Sequence, residues 1–343
     1  MVRWVTSALI LLTLCACSRN EGEARLQNYL KRLDTVLELG LPSSVVPPKT
    51  TLQRYGFPQE PEFPKARSPS VQISLLDFLG LYGCRLQSVV GEQNTNLASF
   101  AEASQDVIRA IRFIELAPEC VGMLREAGKQ ELAITLERAL QQKTLQLERD
   151  FWLATLGSKE AREFWKAAPV LGAYPEETSV SPIQTLGRLL QLSGALKEGN
   201  YHPVLDELEP LMSDFRTGDG GELYRSLQTL NTYLEHASTA LRERAGSGGL
   251  CFGGRETFNR DALANVVQTF FAGDVQEWAA GLSRRYYALI LPYQRLEEVF
   301  SELEPKAYKS WRVDRDARMA FWLRAPARHV AALKPFLDGC PPA

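Results

Sequence analysis

The first stretch whose side chains could bind a ligand lies between residues 73 and 97. Asp77 interrupts an apolar segment there, and Glu92, Asn94 and Asn96 gather polar groups at its end. An ionised carboxylate on a buried face must be paired or hydrogen-bonded, so Asp77 either faces water or has a partner. Structural satisfaction of these groups is the leading interpretation, and a binding site is the alternative.

The second stretch is the basic dipeptide Arg284-Arg285, which two tyrosines follow. On a helix, this dipeptide could supply a buried ion-pair donor or an exposed patch for a partner. The ion pair is the leading interpretation, and both arginines remain candidate binding residues.

Motifs for metal and nucleophilic chemistry are weak in this sequence. His202, His236 and His329 are far apart, and none has a second histidine four residues away. Zinc sites need clustered nitrogen or sulfur ligands, so we predict neither a metal nor a cofactor. A Ser-His-Asp triad could still be assembled from distant positions, but no Gly-x-Ser-x-Gly elbow marks a nucleophile. We therefore assign no catalytic residue.

Acidic runs and one glycine-rich segment have ordinary explanations. Residues 246–255 follow a predicted helix and lack the lysine of a phosphate-binding loop, which favours a flexible connection. Clustered carboxylates could form the acid/base pair of a glycosidase, but such runs are usually the solvated face of an amphipathic helix. These carboxylates are Asp206, Glu207, Glu209, Glu297, Glu298, Glu302 and Glu304.

Leucine spacing predicts that helices position these groups. Leucines recur at steps of four and three residues from Leu26 to Leu37, which predicts an amphipathic helix over 22–39. The same spacing predicts a bundle helix over 221–244. Further helices are expected over 72–91, 98–116, 119–127, 129–156, 181–194, 202–215, 258–272, 274–303 and 327–337.

Local signals refine the ends of these helices. Ser181 before a proline and Asp274 are expected N-caps, and Pro292 predicts a kink. Near the end, residues 311–313 and 319–323 flank a charged tripeptide, which predicts a small β-hairpin. The expected fold class is therefore mainly α, a helical bundle with a small C-terminal β-hairpin.

The amino terminus has the pattern of an export signal. Residues 4–16 are almost wholly apolar, and a helix of that length would rise only ~20 Å, less than the ~30 Å core of a bilayer. Leu14-Cys15-Ala16-Cys17 resembles a bacterial lipobox, and the small Ala16 selects Cys17 over Cys15 as the lipidated residue. An ordinary secretory peptide cut nearby is the alternative.

Composition bounds the class of protein. The 343 residues are 45% hydrophobic and 23% charged, as in ordinary globular proteins, and the net charge is −2. Without a basic cluster, a nucleic-acid partner is not expected. Seven prolines between 42 and 69 predict an extended segment. We divide the chain into a signal peptide (1–16), an anchored helix with the proline-rich segment (17–70) and a helical domain (71–343).

Once the leader with Cys15 is removed, four cysteines are expected to remain besides the lipidation site, in a compartment that permits oxidation. They allow three pairings. We favour Cys84–Cys120 and Cys251–Cys340, because each pair joins positions within one half of the chain. Four buried free thiols are the alternative.

One family resemblance can be named on these residues. Residues 73–87, Gly91 to Leu97 and Glu119-Cys120 resemble the pattern of a Gram-negative lipoprotein family known as domain of unknown function 3080. The family's polar stretch usually reads Glu-Arg-Asn-Ser-Ser-Leu-Gly, from which Gln93, Thr95 and Asn96 depart. The resemblance is strongest over 55–125. It supports export and the Cys84–Cys120 pairing, and it implies no activity.

Together these observations predict an outer-membrane lipoprotein that faces the periplasm. Its expected partners are the membrane, through the N-terminal lipid, and another envelope protein. A noncatalytic envelope interaction factor is the leading hypothesis, because helical surface is abundant and catalytic motifs are weak. The alternative is an enzyme or ligand-binding protein that acts on cell-wall or lipid material.

Overall fold

Helices make up about three quarters of the described chain. The computed structural model describes residues 20–42, 44–45, 57–58, 75–93, 103–247, 250–252 and 255–340. The α-helices are α1 (Glu21–Leu37), α2 (Leu75–Gly80), α3 (Leu86–Gln93), α4 (Ala103–Glu126), α5 (Gln130–Ala154), α6 (Lys159–Phe164), α7 (Ser181–Lys197), α8 (His202–Phe215), α9 (Gly220–Gly246), α10 (Arg260–Val266), α11 (Gln276–Val299), α12 (Lys306–Leu323) and α13 (Ala325–Asp338).

The main core is built around α1, α9 and α11. The predicted leucine stripe of α1 is fully buried, and α1 packs against α9 and a π-helical segment, Val267–Val275. Helix α9 also packs against α11, α12 and α13. The prediction that leucine spacing marks buried helix faces is therefore confirmed for α1 and α9. Cys17 and residues 1–16 lie outside the described residues, as does most of the proline-rich segment.

A second, smaller core contains the Cys84–Cys120 disulfide. The helix predicted over 72–91 is wrong as one element, because a turn with Gly83 at φ +90° separates α2 from α3. Conversely, the two helices predicted on either side of Pro118 form one helix, α4. Both differences arise where one residue's backbone conformation decides continuity.

The β-hairpin predicted between 311 and 323 is wrong, because these residues belong to α12. Tyr308, Arg315, Met319 and Trp322 are its buried residues, and their steps of seven, four and three are helical. Within the described residues, β-structure is confined to the antiparallel pair Cys251–Phe252 and Arg255–Glu256.

Two predicted N-caps are also wrong. Ser181 is the first residue of α7, and Val180 occupies the N-cap position. Asp274 lies inside the π-helical segment, which joins α10 to α11 without a break. Because the helix continues through Asp274, its backbone has no free N-terminal turn to cap.

Both predicted disulfides are present, Cys84–Cys120 and Cys251–Cys340. The second joins the two-stranded sheet to the end of α13, across a sequence separation of 89. Among the described helices, none combines the length and apolar character needed to cross a membrane.

Candidate functional site

The start of α1 is fastened to the connection between α6 and α7. The side-chain carbonyl of Asn20 accepts a hydrogen bond from the backbone N–H of Leu171 at 2.7 Å, and the N–H of Glu21 donates to the carbonyl of Gly172 at 2.9 Å. Gly22 lies directly against the indole of Trp278, where a Cβ atom would overlap the ring. These contacts place the amino-terminal turn of α1 beside α11.

The same connection also meets α11 through Tyr174 and Pro175, which are joined by a cis peptide bond. The indole N–H of Trp278 donates to the carbonyl of Tyr174 at 2.9 Å. A Cβ atom on Gly281 would lie 3.3 Å from Cγ of Pro175, so only a small residue allows this approach. The connection therefore rests on one face of α11.

A buried ion pair between Arg285 and Asp219 contacts this connection through Tyr174. Arg285 donates from Nε to Oδ2 of Asp219 at 2.8 Å and also hydrogen-bonds the second oxygen of that carboxylate. The phenol of Tyr174 donates to Oδ2 of Asp219 at 2.7 Å. Burial raises the pKa of Tyr174 well above its ordinary value, and the charge of Asp219 and the hydrogen bond to it act in the same direction. The phenol therefore stays protonated and remains a donor.

Arg285 also lines an open groove of about 420 Å³, which lies between α1, the connection from α6 to α7, and α11. Two of the residues that line it are small, Gly281 and Ala288. Its polar lining consists of Arg25, Glu176, Thr178, Glu277, Arg284 and Arg285. We call this feature the arginine groove.

The charges of the arginine groove differ in how they are paired. Arg25 forms an ion pair with Glu176 at 3.0 Å, and Arg285 is paired with Asp219. Arg284 and Glu277 are exposed, and neither has a hydrogen-bond or ion-pair partner among the described residues. The groove thus offers one unpaired cation and one unpaired anion within the part of the chain that the structure describes.

The structure separates the two predicted stretches. Arg285 is the buried ion-pair donor that the sequence favoured, and its neighbour Arg284 is exposed in the groove. Glu92 is exposed near the end of α3 and does not line the groove. The side chain of Asp77, and all of Asn94 and Asn96, lie outside the described residues.

Sequence reasoning missed Arg25, Glu176 and Glu277. Arg25 lies next to Leu26 but off the buried stripe of α1, and no local pattern relates it to Glu176, 151 residues away. The one available signal was the stripe Glu277, Gly281, Arg284 and Ala288, whose steps of four, three and four put them on one helix face.

His329 lies in the main core and not in the groove. Its Nδ1 is 2.9 Å from the hydroxyl of Ser238, which donates onward to the carbonyl of Leu234, and its Nε2 is 2.7 Å from the phenol of Tyr29. This pattern assigns the hydrogen to Nδ1 and makes Nε2 an acceptor. Burial lowers the pKa of His329 to about 3. Ser238 and His329 are buried, so the pair is structural.

Three carboxylates of the acidic runs form ion pairs with arginines: Glu207 with Arg188, Glu297 with Arg315 and Glu304 with Arg312. A further one, Asp206, lies 2.9 Å from Nδ1 of His202. The expectation that the acidic runs form a solvated helix face is wrong for Glu297 and Glu304, because both side chains are buried. Among the described residues, no group of three or more metal-ligating side chains comes together.

The architecture defines a mainly α protein with two disulfides and a charged surface groove. A family model described as "Protein of unknown function (DUF3080)" matches residues 26–341, and the chain belongs to this family. No curated protein and no solved structure matches it.

Proposed function

We propose that this protein is a lipoprotein, anchored through Cys17 on the periplasmic side of the outer membrane, that binds an envelope component without catalysis. The arginine groove is the observation that supports a binding role. Three segments distant in sequence converge to form it, and a buried ion pair supports it. Ligand sites are usually pre-formed concavities in which a few placed polar groups orient the ligand.

The anchor is argued from the sequence. An apolar leader ends at Ala16, and Cys17 follows as the residue that would carry the lipid. More than one acyl chain suffices for stable anchoring, because each buried methylene contributes about 0.8 kcal/mol. Ser18 stands where an aspartate would favour retention in the inner membrane, which supports the outer membrane.

The groove chemistry favours binding over catalysis. The hydroxyl of Thr178 donates to the carbonyl of Pro175 at 3.0 Å, and two of the three arginines are held in ion pairs. A catalytic hydroxyl needs a base within hydrogen-bond reach, and the hydroxyl of Thr178 donates to a backbone carbonyl instead. Its fixed charges are suited to orienting a bound polar group.

The anchor is tested by replacing Cys17 with Ser in cells that make the whole chain. We expect the wild-type protein to fractionate with membranes and to incorporate labelled palmitate, and the variant to be soluble and unlabelled. A variant that stays in the membrane fraction would contradict the anchor.

The binding role is tested separately by photo-crosslinking in intact cells. A photoreactive residue replaces Ala288, which lines the groove. In the control, the same photoreactive residue replaces Leu145, which is 77% exposed on α5 and does not line the groove. We expect a discrete adduct from position 288 that Arg284→Glu abolishes. Identical products from both positions, or none from position 288, would contradict a groove-specific role.

A further inference from the structure

We propose that the arginine groove binds a phosphate–ammonium zwitterion, with the phosphate on Arg284 and a primary ammonium on Glu277, and that its source is a lipid head group of the anchoring membrane. This inference rests on the proposed function and names the ligand class of the same groove.

The first argument is the placement of two opposite charges. Glu277 and Arg284 are seven residues apart on α11, which puts them on one face, about 10 Å apart along the helix axis. Gly281 lies between them, and a guanidinium nitrogen of Arg284 is 3.8 Å from where a Cβ of Gly281 would be. The guanidinium therefore lies over Gly281, on the side of Arg284 that faces Glu277 along the helix.

The second argument is that these charges are not neutralised by the protein. Arg284 and Glu277 do not pair with each other, and neither has another partner among the described residues, whereas Arg25 and Arg285 are both paired. A simple anion would pair with Arg284, but the nearby carboxylate of Glu277 would repel it. A ligand that carries both signs complements both groups.

The third argument is proximity to the anchor. Asn20 is the first described residue, and it lies three positions after Cys17, a span of at most about 11 Å. Arg25 lies five residues further along α1, or about 8 Å along the axis. With Cys17 acylated, the groove lies close to the membrane surface, where head groups are the most concentrated zwitterions.

A primary ammonium is specified because of the carboxylate. An ammonium with N–H groups donates hydrogen bonds to Glu277, whereas a quaternary ammonium has no N–H to donate. Phosphoethanolamine compounds should therefore bind better than phosphocholine compounds. Phosphoglycerol compounds, which lack the cation, should also bind less well.

Calorimetry with soluble head groups tests the chemistry independently of the anchor. Purified Cys17→Ser protein is titrated with glycerophosphoethanolamine, glycerophosphocholine and glycerophosphoglycerol. We expect saturable binding that is strongest for the first, and Arg284→Gln and Glu277→Gln should each weaken it about tenfold. Arg295→Gln is the matched control, because Arg295 is exposed on α11 and does not line the groove.

Three outcomes would overturn the proposal. The first is that glycerophosphoethanolamine does not bind. The second is that Arg295→Gln weakens binding as much as the groove variants do. The third is that glycerophosphoglycerol binds as tightly as glycerophosphoethanolamine and that Glu277→Gln does not weaken its binding. Co-sedimentation with phosphatidylethanolamine vesicles, against phosphatidylcholine vesicles, then tests the source. Binding of the soluble head group without vesicle binding would overturn the membrane as source, while membrane retention of Cys17→Ser would refute only the anchor.

Discussion

Arg315 donates hydrogen bonds to both carboxylate oxygens of Glu297, at 2.9 and 2.7 Å, with both side chains almost fully buried. The pair joins α12 to α11. The phenol of Tyr308 donates to the same carboxylate at 2.7 Å, and the indole of Trp311 lies 4.8 Å from the guanidinium. Charges in such a site are tolerated only because each is paired and hydrogen-bonded.

Breaking this pair from one side should therefore be costly. We expect Glu297→Gln and Arg315→Met each to lower the free energy of unfolding by about 3–5 kcal/mol, and the Glu297→Leu/Arg315→Met double variant to lose less than either. Urea denaturation measures all three. The exposed pair Lys166–Glu163 is the control, and Lys166→Gln should cost at most about 1 kcal/mol. Single variants that behave like Lys166→Gln would contradict this expectation.

Gly22 should tolerate no side chain, because Trp278 occupies the space of its Cβ. We expect Gly22→Ala to destabilise the protein by about 1–3 kcal/mol, since either α1 or the indole must move. Gly122→Ala is the matched control inside α4, where a Cβ meets no atom within 4 Å, and it should be neutral or slightly stabilising. Thermal unfolding compares them, and equal melting temperatures would refute the close packing.

Stability should fall in mild acid because of His329. Burial lowers its pKa to about 3 in the folded state, while the unfolded chain titrates near the ordinary value of about 6.5. The unfolded state therefore binds more protons as the pH falls below 6.5, so the contribution of neutral His329 is complete above 6.5 and is lost progressively toward pH 3.

The measurement is the free energy of unfolding at pH 7 and pH 5. The wild-type protein should lose about 2 kcal/mol more over this interval than a His329→Gln variant. His202 is 84% exposed, so His202→Gln should keep the wild-type dependence. A wild-type pH dependence in His329→Gln would show that other groups cause the acid sensitivity.

The Cys84–Cys120 disulfide should stabilise the smaller core specifically. Replacing both cysteines with Ala should cost about 2–4 kcal/mol. Hydrogen exchange should accelerate in α3 and over residues 113–124 of α4 but not in α9, because the first two segments pack in the smaller core and α9 packs in the main core. The Cys251→Ala/Cys340→Ala variant is the comparison and should leave α3 protected. Uniform acceleration over all helices would contradict separate cores.

Short-range sequence signals sufficed for much of the architecture. The helix predicted over 202–215 has these bounds in the structure, and the stripe from Leu26 to Leu37 is buried as expected. Both follow from the 3.6-residue period of a helix, which neighbouring residues express without help from distant ones. The disulfide pairings were also predicted.

The wrong β-hairpin prediction has a tertiary cause. Trp311 and its neighbours have a strand-like composition, yet α12 forms there because it buries Tyr308, Arg315, Met319 and Trp322 on one face. The intrinsic preference of these residues for a β-strand is weaker than the effect of tertiary packing, so the segment forms a helix.

By itself, the sequence determined that this is a mainly α chain with a basic dipeptide at Arg284-Arg285, and it favoured the two disulfide pairings that the structure has. Only the tertiary structure decided that Arg285 is buried on Asp219 while Arg284 lies in a groove with Glu277 and Arg25. The physical reason is that helical periodicity is a local property. The meeting of residues 151 or more positions apart depends on how whole helices pack, which no local spacing encodes.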